Sequence, residues 1–201
     1  MIKRSFDLAT AEPNDRYKLL SGLVIPRPIG WIGTRGGDGS YNLAPFSFFN
    51  AVSSDPPIVL FSAGSHRDRP KDSATNAEQS GVFTVNIVSE ELAPAMNLTS
   101  ASYGPDDDEF AIAGLTAVLG TVIDAPMVAE SPANLECRVI DVVEVEGAGI
   151  RIVLGKVLMI HVREDALDGT RVDSDVIQAV GRLAGSSYVT TRERFELERP
   201  G

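Results

Sequence analysis

Residues 27–62 read RPIGWIGTRGGDGSYNLAPFSFFNAVSSDPPIVLFS, and this stretch decides the fold. An apolar run through Trp31 and Ile32 breaks at Gly36-Gly37-Asp38-Gly39, where glycine supplies positive φ cheaply and a hairpin turn is favoured. The chain resumes at Asn42-Leu43-Ala44-Pro45-Phe46-Ser47-Phe48-Phe49-Asn50 and closes in the strand-like Ile58-Val59-Leu60-Phe61. Two strands therefore flank a loop that mixes aromatic rings with small hydroxyl and amide groups. That mixture suits a flat, partly apolar, hydrogen-bonding ring system. Phe46, Phe48 and Phe49 suit the core of a barrel corner equally, so the residues alone leave both readings open.

Around this stretch the composition sets limits. A chain of 201 residues, 43% hydrophobic, fits one domain over 1–201 with a sizeable core and argues against extended disorder. No apolar run reaches the ~18 residues a spanning helix needs, and Met1–Asp7 is not followed by the apolar segment of a secretory signal, so a cytoplasmic protein without a membrane partner is expected. The single cysteine, Cys137, reads as a buried thiol on a strand and fits a reducing compartment. A formal net charge of −10 disfavours nucleic acid, whose binding rests on neutralising phosphates.

Along the chain, Asp7–Leu20 reads as an arm or short helix before a first strand at Leu23–Ile25. Pro26 and Pro28 then call for an edge or a bend. Ile29–Thr34 reads as a strand, and a loop of small residues and cations, Ser62–Asp72, follows Phe61. Asp72 reads as N-cap of a helix over Ser73–Ser80, with Gly81 beyond its end. Val82–Val88 alternates as a strand. Glu90–Leu98 reads as a helix capped by Ser89, and Gly104–Glu109 as a solvated acidic loop. Leu115–Ile123, Leu135–Val145 and Ile150–Val162 read as strands, the last two joined by the turn Glu146-Gly147-Ala148-Gly149. Asp175–Leu183 reads as a short helix. Several strands with a few short helices give a mainly β protein, an antiparallel β-barrel with helical decoration.

The ordered run R-P-I-G-W, N-L-A-P-F-S-F-F-N and S-D-P-P resembles the flavin reductase-like family, the FMN-binding split barrels that include flavoredoxin and the reductase partners of flavin-dependent monooxygenases. The resemblance implies an antiparallel split β-barrel of Greek-key type, FMN as cofactor, NAD(P)H as transient co-substrate, and a homodimer with flavin near the interface. It also implies a possible monooxygenase or electron-transfer partner. Two demands of FMN, for its phosphate and for its ring, then find candidates. Lys71 stands before the helix start, where backbone amides and the dipole favour an anion; a capping Asp72 carboxylate would compete for those amides, leaving the phosphate to Lys71, Arg67 and the Ser62 and Ser65 hydroxyls, and an ordinary capped surface helix with solvated cations is the other reading. The family's K-D-[ST]-x-x-N pattern is present as Lys71-Asp72-Ser73-Ala74-Thr75-Asn76, and Asp72 belongs to that site. For the ring, the resemblance implies Ser47, Phe48, Phe49 and Asn50, with Trp31 and Thr34 of the preceding strand nearby.

Trp31 suits a core position with a bonded indole as well as it suits a flavin contact. Gly181–Tyr188 resembles a family R-L-G-G-x-x-Y element, with Ala184 in place of a glycine. Tyr188 fits either a cover for the ring or packing against the barrel. His161, on a β-branched strand, reads as a hydrogen-bonded structural residue, although family members carry a histidine in a similar place. Two distant histidines and one cysteine make no metal constellation. Neither a G-x-S-x-G elbow nor a G-x-G-x-x-G turn is present, so a nicotinamide nucleotide would bind only as a substrate. No acid–base pair stands out as catalytic. The expected activity is NAD(P)H:flavin oxidoreductase, against a flavoredoxin-like electron carrier or a barrel that binds another ligand.

Overall fold

A computed structural model describes residues 1–66, 69–104 and 107–200. Its main sheet contains β1 (Gly30–Arg35), β2 (Tyr41–Phe46), β3 (Phe49–Ser54), β4 (Pro57–His66), β5 (Val82–Asn86), β6 (Ala133–Val145) and β7 (Ile150–Val162). Every pairing is antiparallel, in the order β2-β1-β5-β6-β7-β4-β3, with the short strand Arg69–Pro70 added to β4. The glycine turns fall where the sequence places them, with Gly39 at φ 91° between β1 and β2, and Gly147 at φ 72° and Gly149 at φ 60° between β6 and β7.

The sheet curls until its two ends meet. Phe46 of β2 lies 5.0 Å from Phe61 of β4, centroid to centroid, and a Cβ on Gly30 of β1 would stand 2.5 Å from the Phe49 ring of β3. Edge strands β2 and β3 share no ladder, so packed rings close the barrel and it stays split. Inside, Phe61 stacks edge-on to Phe83 at 5.2 Å, with Val85, Cys137 and Val153 fully buried around them. Two register shifts in the β6–β7 ribbon, at Glu136/Cys137 and Val139/Asp141, supply local bends of the kind β-bulges give. The thiol of Cys137 is pushed up to about 12 by burial, with the Glu136 carboxylate adding to the shift, as befits an inert core group.

Helices cover the outside. They are α1 (Pro13–Leu23), α2 (Asp72–Ser80), α3 (Ala93–Leu98), α4 (Glu109–Ile112) and α5 (Ser174–Ile177). A second cluster, with Trp31, Leu43, Met96 and Phe110, packs between the sheet, α3 and α4. No helix among the described residues is long and apolar enough to cross a membrane.

Several local expectations need correction. Leu23–Ile25 is not a strand: α1 runs to Leu23, the Val24 amide still donates to Leu20, and proline at 26 follows. Asp72 is the first helical residue, and the cap position belongs to Lys71. The helix expected over Glu90–Leu98 begins only at Ala93, with Pro94 in its first turn. Strand Leu115–Ile123 shrinks to Ala117–Leu119 because the amides of Thr121, Val122 and Ile123 donate to the Glu136 carboxylate instead of to a ladder. The helix expected over Asp175–Leu183 ends at Ile177, where Gln178 takes φ 50°. Val180–Arg182 then becomes the middle strand of a small sheet between Arg27–Pro28 and Tyr188–Thr190. Pro28 accordingly lies on an edge strand, where its missing donor costs least.

Candidate functional site

The loop between β2 and β3 and the start of α2 converge at one end of the barrel. The Ser62 amide donates to the Phe48 carbonyl at 2.8 Å, which places the Ser62 backbone beside the aromatic loop. Lys71 Nζ stands 5.2 Å over the Phe46 ring, itself packed on Phe61. Ser47 and Phe49 are half-buried, whereas Phe48 and Asn50 are exposed, Phe48 at 43%. The structure thus brings Ser47, Phe48, Phe49 and the Ser62 backbone together, with Lys71 over the neighbouring Phe46 ring; Asn50 is the second residue of β3, opposite Leu60, and its side chain accepts from the Ala51 amide. Arg67 lies outside the described residues, as does the side chain of Ser65.

Lys71 is exposed as a residue, yet protein crowding round its ammonium pushes the pKa down. No carboxylate among the described residues pairs with it. A crevice of about 280 Å³ opens on one side, lined by Lys71, Gly64, Ala74, Ile150 and Arg151. A smaller one of about 70 Å³ opens on the other, lined by Lys71, Ser73, Ser100, Tyr103 and Glu109. Burial raises the pKa of Glu109 despite the Leu43 amide that donates to it at 3.3 Å. The larger crevice is also lined by Glu144 and Glu146, and the Arg151 guanidinium is paired with Glu78 and Glu144 at 3.0 Å, so of its two cations only Lys71 has no carboxylate partner among the described residues; that ammonium, beside the Gly64 backbone, fits a phosphate. The exposed aromatic loop next to it fits a flat ring.

Trp31 and Thr34 are fully buried and lie behind this face. The Trp31 indole donates to Thr99 Oγ1 at 2.8 Å, and Thr99 donates to the Met96 carbonyl at 2.9 Å, so Trp31 fastens β1 to α3. Thr34 Oγ1 accepts from Asn42 Nδ2 at 3.3 Å and from Asn76 Nδ2 at 3.4 Å, while Asn42 Nδ2 also donates to Ser73 Oγ at 2.9 Å. This network clamps α2 onto β1 and β2 and so fixes where Lys71 stands. Asn42, Ser73 and Asn76 were absent from the candidate residues, although all three sit in motifs that the chain shares with the family.

Tyr188 belongs to the small sheet. Arg182 lies 4.5 Å over its ring and donates to its hydroxyl, which in turn reaches Asn97 Oδ1 at 3.4 Å. Arg27, on the next strand but one, was also missed. Its guanidinium is buried and donates to the carbonyls of Ser21 at 2.6 Å, Val24 at 2.8 Å and Leu183 at 3.1 Å, and to Ser47 Oγ at 3.4 Å. It also faces the Phe48 ring at 5.8 Å. His161 is structural here: its Nε2 lies 2.7 Å from Glu136 Oε1, a carboxylate at zero exposure. Among the described residues no group of His, Cys, Asp and Glu is arranged to hold a metal.

An antiparallel split barrel with short helices on its outside is the fold of the split-barrel flavin reductases. The chain belongs to the flavin reductase-like family, whose domain model matches residues 21–176. A Deinococcus radiodurans protein is 44% identical over 208 residues, covering 99% of this chain and 91% of that protein. The crystal structure of nitrilotriacetate monooxygenase component B from Bacillus cereus superposes with a TM-score of 0.95 at 31% identity, covering 98% of this chain and 100% of that one. That of 2-nitrobenzoate 2-nitroreductase from Pseudomonas fluorescens does so with 0.90 at 28%, covering 98% and 96%. The flavin reductase-like assignment carries with it a flavin ligand and oxidoreductase chemistry.

Proposed function

We propose that this protein is an NAD(P)H:FMN oxidoreductase, a single domain that reduces flavin for a partner monooxygenase, in the manner its likeness to a monooxygenase component B suggests. The observation that carries the reading is Lys71, an ammonium with no carboxylate partner among the described residues, set against the open Ser47–Asn50 loop. In this reading the phosphate of FMN meets Lys71 and the backbone near Gly64, with Arg67 and Ser65 from the same loop and Asp72 at the helix start. Ser62 faces the ribityl chain. Ser47, Phe48, Phe49 and Asn50 line the ring, and Thr34 and Trp31 hold that wall from behind. Tyr188 borders the site from the small sheet.

Bound flavin supplies an acceptor, N5, for the hydride that leaves C4 of the nicotinamide. The protein's task is then chiefly positioning, since reacting atoms must come within about 3–3.5 Å, and no side-chain acid or base is required. Apolar residues left exposed near the site and on the long ribbon, among them Phe48, Val52, Ile140 and Ile160, favour a homodimer that covers them.

Titration with FMN followed by anaerobic mixing with NADH or NADPH tests the assignment. Lys71→Ala should weaken FMN binding by roughly tenfold to a hundredfold, the worth of about 1.5–3 kcal/mol for a charge-assisted hydrogen bond. Unchanged affinity would count against the phosphate placement. Protein that turns yellow yet leaves both nicotinamides unoxidised would instead be an electron carrier of flavoredoxin type, and protein that never turns yellow would be a barrel for another ligand.

A further inference from the structure

Arg27 is the only cation among the buried charged side chains described, at 5% exposure, and no carboxylate lies within ion-pair distance of it. Burying a lone charge is costly, and three main-chain carbonyls offset that cost only in part. The cost is compounded by position. In the small sheet the residue directly opposite Arg27 is Arg182, whose described partners are Tyr188 and the Gly185 carbonyl, again without a carboxylate. Like charges set directly opposite on antiparallel strands destabilise the pair. In a chain whose net charge is −10, the buried Arg27 guanidinium, with no carboxylate partner among the described residues, is a fixed positive charge inside the fold.

The guanidinium of Arg27 points at the aromatic loop, reaching Ser47 Oγ at 3.4 Å and facing the Phe48 ring at 5.8 Å. We propose that Arg27 is an electrostatic tuning residue that makes the site bind reduced flavin more tightly than oxidised flavin. This rests on the reading above that the ring lies along Ser47–Asn50. The oxidised ring is neutral; adding a hydride to it leaves one net negative charge on the ring, and the nicotinamide departs as its cation, so charge balances. A fixed positive charge nearby favours only the charged form. One unit charge at about 10 Å, under an effective dielectric constant of about 20, is worth on the order of tenfold in an equilibrium constant. The Leu183 carbonyl helps to hold the guanidinium, so the C-terminal strand takes part in placing the charge.

The test is the ratio of dissociation constants for reduced and oxidised FMN, obtained from anaerobic dye-equilibrated potentials and fluorescence titration of the full chain. Arg27→Met should lower the preference for reduced FMN about tenfold, which for a two-electron couple lowers the midpoint potential by about 29.6 mV. Arg27→Lys, which keeps the charge and loses the fork, should hold the wild-type ratio even where it weakens both forms. Equal weakening of both forms in Arg27→Met would make Arg27 only a pin for the C-terminal strand and overturn the proposal. Should Arg27→Met not fold, the unsubstituted protein decides. Its bound reduced flavin should keep the absorbance of the anion at pH values where free reduced FMN has protonated, and protonation in step with free FMN would overturn the proposal. Binding that depends on Lys71 with an unchanged redox ratio sinks this inference alone. Absence of FMN binding by the folded chain sinks the flavin reading with it.

Discussion

Glu136 offers the sharpest measurement of what holds the barrel to its outer loops. Its carboxylate is fully buried and accepts from the Thr121 amide at 2.9 Å, the Thr121 hydroxyl at 2.7 Å, the Val122 amide at 2.8 Å and the Ile123 amide at 3.0 Å, with His161 Nε2 at 2.7 Å. Burial alone would raise its pKa, but these bonds outweigh it, His161 first and Thr121 next, and hold the carboxyl at about 2 against an ordinary 4.5. A carboxyl depressed in the folded state contributes stability above its unfolded pKa, and that contribution is lost as pH falls from about 4.5 towards 2. At ~1.36 kcal/mol per unit the contribution is about 3 kcal/mol at neutral pH.

Glu136→Gln presents an amide to two of the donors that the carboxylate satisfied. The loss at pH 7 should be about 3–5 kcal/mol, as for other broken buried pairs. Glutamine does not titrate, so the gap between the two proteins must close with acid. Urea unfolding of both from pH 7 to pH 2.5 should show the gap narrowing by about 3 kcal/mol, all of it below the unfolded pKa of glutamate. A gap of the same size at both ends would refute the account, since the carboxylate would then be acting through shape and not through charge.

Two further outcomes follow from the packing. Gly155→Ala should destabilise the fold by about 1–3 kcal/mol in the same urea assay, because its Cβ would lie 2.5 Å from Cε1 of the fully buried Phe83. The homodimer should appear in sedimentation at micromolar concentrations and be lost on Ile160→Asp, which places a charge among exposed apolar residues without touching the core; a monomer in both would remove the covering argument.

The parts of the fold legible in the chain are those whose cause is local. The glycine turns at 36–39 and 146–149 and the period-2 alternation of 135–145 and 150–162 needed no long-range information, and they mark the β1–β2 hairpin and the β6–β7 ribbon. Failures came where a distant partner takes a backbone group. The amides of 121–123 belong to Glu136 rather than to a strand ladder, and Val180–Arg182 pairs with Arg27–Pro28 across more than 150 positions of sequence. A helical reading of 175–183 is what propensity alone supports, and only the sheet across the chain overrides it.

The candidate site divides along the same line. Motif position pointed to the β2–β3 loop and the start of α2, but not to which of their side chains face outwards. Trp31 and Thr34 lie in a strand covered on both faces, so alternation carries no signal there: all of Gly30–Thr34 is buried. Their hydrogen bonds run sideways, to Thr99 and to Asn42 and Asn76, and place Lys71 and the aromatic loop without reaching the open face. Arg27 is the opposite case. A charged side chain next to a proline reads as surface, and nothing local tells that Ser21, Val24 and Leu183 turn their carbonyls towards it. The same remote contacts that hide it from sequence reasoning keep its charge fixed beside Ser47. A solvated arginine at that distance would be screened by water, whereas one anchored on three carbonyls keeps its field directed at whatever the loop holds.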